Sequence, residues 1–195
     1  MVKPVTKAAG YADAIPASIK FFTAKEKNVI TKFKNYNTNA ATGNLKLSDH
    51  FQVKEFASKS GNIVYSSEVK IHNKLIQILE ALFATLNCKY IIVNSGYRTP
   101  EHDRAVGGDG KGQHTLGKAA DIVCYDQNGK IIPAKKVCCA LEDFGDVYGI
   151  GYISQNATHV DTRDKSKKWW GDETRAGAPN ISRLGYNSFH DYFRI

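Results

Sequence analysis

The segment running from Ser66 to Gly96 limits the possible folds more than any other part of the chain. Ser66 and Ser67 precede Glu68, and then Ile71, Leu75, Ile78, Leu79, Leu82 and Leu86 recur at spacings of 4, 3, 1, 3 and 4, which is one face of an α-helix. Lys89 opens the run Tyr90-Ile91-Ile92-Val93, with the β-branched content and length of a buried strand, and Asn94-Ser95-Gly96 closes it as a turn. Further on, residues 119–125 read as a strand, Asp126-Gln127-Asn128-Gly129 as a turn and residues 133–144 as a short amphipathic helix. Residues 147–154 and 157–163 read as two strands joined around Gln155-Asn156. This alternation predicts an α+β domain, a small and mostly antiparallel sheet flanked by helices, rather than a regular βαβ winding.

The flanks are less regular. Residues 1–45 show little periodicity and contain Pro4, Pro16 and the Asn-rich stretch 35–39, so residues 1–44 are expected to form an arm, with a short helix at 23–34, ahead of a domain spanning 45–195. The glycine-rich stretch 99–112 is expected to be a loop, with His102 on the surface. Trp169-Trp170-Gly171 either lines a groove or packs the core, and residues 186–195 read as an aromatic segment folding back on the domain.

Composition narrows the function classes. With 42% hydrophobic and 24% charged residues over 195, the chain has ordinary globular usage, and no apolar run approaches the ~18 residues that span a bilayer. Residues 1–20 lack the apolar core of a signal peptide, so synthesis in a cytoplasm and no stable membrane insertion are expected. The net charge of +8 favours a polyanionic partner, but the basic residues are dispersed, which argues against nucleic acid. Cys88, Cys124, Cys138 and Cys139 lack CxxC spacing and have apolar neighbours, so four buried, reduced thiols are expected.

Three segments hold residues that core-building does not call for: Ser95-Gly96-Tyr97-Arg98, Gln113-His114-Thr115-Leu116-Gly117-Lys118-Ala119-Ala120-Asp121 and Thr158-His159-Val160-Asp161-Thr162-Arg163. A hydrolytic zinc site takes three imidazole or carboxylate ligands and leaves a position for water. His114, Asp121 and His159 supply such a set. Gly117 permits a sharp turn after His114, and the small Ala119 and Ala120 let the chain re-enter a strand that returns Asp121 beside it.

These segments resemble the zinc-dependent M15 peptidases, which include D-alanyl-D-alanine carboxypeptidases and L-alanyl-D-glutamate endopeptidases of bacterial and phage origin. The family pattern is SxHxxGxAxD with a later His and an upstream Ser-x-Tyr-Arg; the run SGYRTPEHDRAVGG at residues 95–108 is similar to the phage endolysin branch. The resemblance covers roughly residues 45–163. It implies a Hedgehog/DD-peptidase-like fold, Zn²⁺ held by His114, Asp121 and His159, and Arg98 polarising or clamping the substrate carbonyl. It also implies action on peptidoglycan peptide at the bacterial cell wall, as phage or prophage lysins do; a monomer is expected. The Hedgehog signalling domain shares the fold without being a wall peptidase, so the fold does not settle the reaction; Asn156 motivates the alternative, a zinc-stabilised module that binds wall peptide or protein without cleaving it.

Two positions depart from the pattern. Gly112 stands where the family has Ser, and Asn156 stands where many members carry Glu or Asp as general base, an amide that cannot accept the proton of an attacking water. Asp161 is the nearest substitute, since residues two apart on a strand share a face; it acts either as base or as a carboxylate that orients His159. Arg98 has a second reading as an ion-pair partner of Asp121 or Asp161. Glu101, Asp103, Asp109 and Glu142 are further carboxylates that the fold could bring in.

Overall fold

The computed structural model describes residues 29–35 and 40–195. Among the described residues nine strands follow in chain order: β1 (Ile30–Phe33), β2 (Lys59–Ser60), β3 (Ile63–Val64), β4 (Val69–His72), β5 (Tyr90–Ser95), β6 (Ala119–Tyr125), β7 (Gly149–Tyr152), β8 (Thr158–Asp161) and β9 (Trp169–Asp172). The α-helices are α1 (Ala40–Gly43), α2 (Asn73–Thr85), α3 (Pro100–Ala105), α4 (Ala134–Asp143) and α5 (Phe189–Phe193). The last five strands form one sheet in the order β5-β6-β8-β7-β9, antiparallel except for the parallel pair β7 and β9. This is the expected α+β class. Among the described residues no helix is long and apolar enough to cross a membrane.

Strand alternation gives this sheet two chemically different faces. Ala120, Ile122 and Cys124 of β6, Val160 of β8 and Ile150 of β7 are buried together with Leu75, Ile78, Leu79 and Leu82 of α2 and Val137, Cys138 and Leu141 of α4. Both helices pack against β6. The opposite face carries Asp121, His159 and Asp161. The aromatic tail folds back as expected: Phe189 is fully buried, and its N–H and that of His190 donate to Glu142 at the end of α4. All four cysteines are buried and unbridged.

Several local expectations are corrected. Residues 30–33, expected to be helical, form β1, which pairs antiparallel with β4 from Ile30↔His72 to Phe33↔Val69. Thr31 Oγ1 donates to Asn73 Oδ1 at 3.1 Å, so a tertiary ladder overrides local preference there. The rest of the expected helix, residues 23–28, residues 36–39 of the Asn-rich stretch and the remainder of the arm lie outside the described residues. Ile71 belongs to β4 rather than to the helix, because Val69 and Ile71 bury on alternate positions around Lys70. Strand β5 is an edge strand with Tyr90 and Ile92 exposed, not a buried one.

Within the expected loop at 99–112, Thr99 caps α3 by accepting from the His102 N–H, and Pro100 occupies the first turn. His102 is buried rather than on the surface, stacked on Tyr65 at 4.2 Å between centroids with Nδ1 3.0 Å from Ser58 Oγ.

Candidate metal centre

The site grows out of one row of register partners. Ser95 stands opposite Asp121, Asp121 opposite His159, His159 opposite Gly151, and Gly151 opposite Gly171. Directly opposed residues point to the same face, so Asp121 and His159 project side by side. His114 arrives from the loop before β6. Its carbonyl accepts the N–H groups of Arg98 at 3.2 Å and Gly117 at 3.0 Å. Gly117 has φ +71°, and a Cβ there would sit 2.5 Å from the Lys70 carbonyl oxygen, so only glycine makes this turn against β4.

Hydrogen bonds fix the tautomers. His114 Nδ1 lies 2.7 Å from the Gly96 carbonyl oxygen, which only accepts, so Nδ1 carries the proton and Nε2 presents a lone pair. His159 Nε2 donates to Asp161 Oδ2 at 3.1 Å, which leaves Nδ1 as its inward atom. Nε2 of His114, Nδ1 of His159 and Oδ1 of Asp121 then converge. They are separated by 3.3 Å between the two nitrogens, 3.3 Å from His114 to Asp121 and 2.9 Å from His159 to Asp121. The edge of a zinc tetrahedron with ligand bonds of ~2.0–2.1 Å is roughly 3.3 Å. Three electron-pair donors at that spacing fit a metal ion. Among the described residues this is the one group of three histidine, cysteine or acidic side chains so placed.

Without a cation the charges lean on one another. Burial alone would raise the Asp121 carboxyl, but hydrogen bonds and the positive field of His114 and His159 outweigh it and hold it well below the carboxylate range. Burial opposes a charge on His159, yet hydrogen bonds to Asp121 and Asp161 carry that ring up to about 10.

The surrounding side chains hold the donors in place. Asp161 is fully buried; besides His159 it accepts Arg163 Nε at 2.8 Å, the Arg163 N–H at 2.9 Å and Arg163 Nη2. With its oxygens so engaged, Asp161 is placed to orient His159 through the bond to Nε2. Gly149 faces Asp161 across the ladder, and a Cβ at Gly149 would overlap that carboxylate. Arg98 forms the ion pair to Asp121, Nη2 to Oδ2 at 2.7 Å, and also donates to Ser95 Oγ at 2.7 Å and approaches Asp103 at 3.4 Å. It thereby ties down the oxygen of Asp121 that faces away from the two histidines.

His114 and His159 open into a cavity of about 270 Å³ lined also by Asp103, Asp109, Gln113, Arg163, Trp169 and Glu173. Trp169 faces His159 edge-on at 5.7 Å, which assigns it to the groove, while Trp170 packs near Phe189. Of the carboxylates raised from sequence, Glu101 is exposed and Glu142 binds the C-terminal helix, whereas Asp103 and Asp109 do reach this cavity. Glu173 was missed. The signal for it is the alternation Trp169-x-Gly171-x-Glu173, which becomes meaningful only once residues 169–172 are known to be a strand.

A search of the curated proteins gives no match to the chain. The family model for Peptidase M15 matches residues 49–161, a span that holds Arg98, His114, Asp121, His159 and Asp161 and most of the sheet. The paired histidines and the aspartate, set on the sheet face opposite the helices, thus lie within a matched region covering more than half of the sequence, and the chain belongs to the M15 peptidases.

Proposed function

We propose that this protein is a zinc peptidase that hydrolyses an amide bond in the stem peptides of bacterial peptidoglycan. The observation that carries the proposal is the convergence of three lone-pair donors, His114 Nε2, Asp121 Oδ1 and His159 Nδ1, two of which, the histidines, line an open cavity. Zinc held by these residues would act as a Lewis acid on a carbonyl and lower the pKa of a water molecule towards ~7. The protein's own part is positional. Asp161 keeps His159 in the tautomer that presents Nδ1, Gly96 does the same for His114, and Arg98 steadies Asp121. Trp169 and Arg163, with Arg163 Cζ 5.3 Å from the indole ring, wall one side of the cavity against which an extended peptide can lie. The net charge of +8 supports an anionic wall as the working surface.

Asn156 supports a second reading, a zinc-bearing module that binds wall peptide without cleaving it; Asn156 is exposed in the turn before β8. Digestion of purified peptidoglycan by chelated and zinc-restored protein, followed by mass spectrometry of released fragments, separates the two. The peptidase reading expects defined fragments that disappear on chelation and return with zinc. Stoichiometric zinc with no fragments would favour the binding module.

A further inference from the structure

Hydrolysis of an amide needs a group that takes a proton from the attacking water and returns it to the leaving nitrogen. Asn156 is chemically unable to do so, and Asp161 is fully buried beneath Arg163 and His159. Three carboxylates line the cavity together with His114 and His159: Asp103, Asp109 and Glu173. Asp103 is buried and occupied, accepting the Gly110 N–H at 2.9 Å with Arg98 at 3.4 Å. Asp109 is exposed and caps the Lys111 N–H at 2.8 Å.

Glu173 differs from both. Its N–H donates to the Tyr152 carbonyl at 2.9 Å, which extends the β7–β9 ladder by one residue and keeps its side chain on the face of Trp169 and Gly171. The side chain folds back over β7, so that a Cβ built on Gly151 would lie 2.7 Å from Glu173 Oε1. Gly151 is the register partner of His159. The carboxylate is half-buried and has no hydrogen-bond partner among the described residues, an arrangement with a cost unless it serves a ligand or water.

We propose that Glu173 is the proton-accepting carboxylate of this site, an inference that rests on the peptidase reading. As the water oxygen bonds to the peptide carbonyl carbon, the carbonyl π pair moves onto its oxygen and one water proton passes to Glu173. When the oxyanion pair re-forms the C=O bond, the C–N bond breaks with its electron pair on nitrogen and Glu173 returns the proton there, giving a carboxylic acid and an amine. The charged groups around Glu173 act in both directions: burial raises its carboxyl, His159, His114 and Arg98 lower it, and Asp121 raises it; Arg163, Asp103 and Asp109 share the cavity.

The test uses full-length, zinc-loaded wild type, Glu173→Gln and Glu173→Asp with soluble stem pentapeptides prepared from peptidoglycan. Glu173→Gln is expected to keep one zinc and to bind the pentapeptides within threefold of wild type by calorimetry. Its kcat should fall by about 10²–10⁴-fold, and its kcat/KM should lose the acid limb of the pH profile. Glu173→Asp should fold alike and recover part of the rate together with that limb. A Glu173→Gln kcat within threefold of wild type, or a rate loss that tracks lost zinc or lost peptide binding, overturns the assignment and leaves the peptidase reading standing. A wild type that holds zinc, binds the peptides and cleaves none overturns both.

Discussion

Replacing Gly149 by alanine adds one methyl group on the sheet face that carries Asp121, His159 and Asp161. That methyl would overlap the Asp161 carboxylate, and real Cβ atoms essentially never come within 3.0 Å of another group. To reach ordinary contact at ~3.5 Å the carboxylate must retreat by on the order of 1 Å. It has little freedom to do so, since Arg163 Nε and the Arg163 N–H hold it at 2.8 and 2.9 Å and it accepts from His159 Nε2 at 3.1 Å. A shift of that size breaks the His159 bond, which is already near the long end of the hydrogen-bond range. Loss of a carboxylate that orients a metal-binding histidine costs about 10–100-fold in metal affinity, or about 1.4–2.7 kcal/mol. Loosening a buried ion pair lowers folding stability by up to about 3–5 kcal/mol. The assay is zinc affinity by competition with a chromophoric chelator at fixed pH, together with urea unfolding. Gly112→Ala is the control, because a Cβ there meets nothing within 4 Å although Gly112 lines the same cavity. If Gly149→Ala matches Gly112→Ala in both measurements, Asp161 is not held as argued and its orienting role fails.

Other consequences are simpler. Leu79→Ala, at a fully buried position of α2 in the central core, should lower unfolding stability by about 2–5 kcal/mol in a urea titration while zinc content stays unchanged. Burial pushes the Cys139 thiol up to about 12 and raises Cys138 further, so almost no thiolate exists at pH 8 and a disulfide reagent should label neither until urea unfolds the chain. Burial would raise Asp172, but hydrogen bonds from Thr174, Tyr192 and Arg175 outweigh it and hold its carboxyl below the ordinary value. Because the folded value is depressed, the stability it contributes is present above the unfolded value of ~3.9 and is lost as pH falls towards the folded one. Tyr192→Phe should therefore reduce the acid-dependent part of stability, followed by tryptophan fluorescence from Trp170 beside α5.

The grouping of His114, Asp121 and His159 was legible because their sequence patterns are local. His114, Gly117 and Asp121 fall within one turn and one strand start, and the run Thr158-His159-Val160-Asp161 declares by alternation that His159 and Asp161 share a face. The amphipathic pattern of α2 and the β-branched texture of β5 and β6 were equally plain, since burial of one face writes itself into the sequence at period 3.6 or 2. What stayed hidden depends on pairings distant in sequence. Strand β9 pairs directly and in parallel with β7, although β8 separates the two in sequence, and that pairing carries Glu173 into the cavity that His159 lines; nothing local to residues 169–173 announces it. Gly149 and Gly151 look like loosely placed glycines until the register sets one against Asp161 and the other against His159. Strand β1 was missed for the same reason, as its partner β4 begins at Val69, 36 positions beyond the Phe33 at which β1 ends. Helix α3 was missed for a different one: the glycines at 107, 108 and 110 masked the Thr99-Pro100 start just ahead of them.

Metal content and released peptidoglycan fragments, measured side by side for wild type and His159→Ala, decide whether His114, Asp121 and His159 hold a zinc ion needed to cleave wall peptide. Wild type is expected to carry near-stoichiometric zinc and release defined fragments, with both lost in the variant. Fragments released at the wild-type rate by zinc-free His159→Ala would refute the zinc-peptidase proposal.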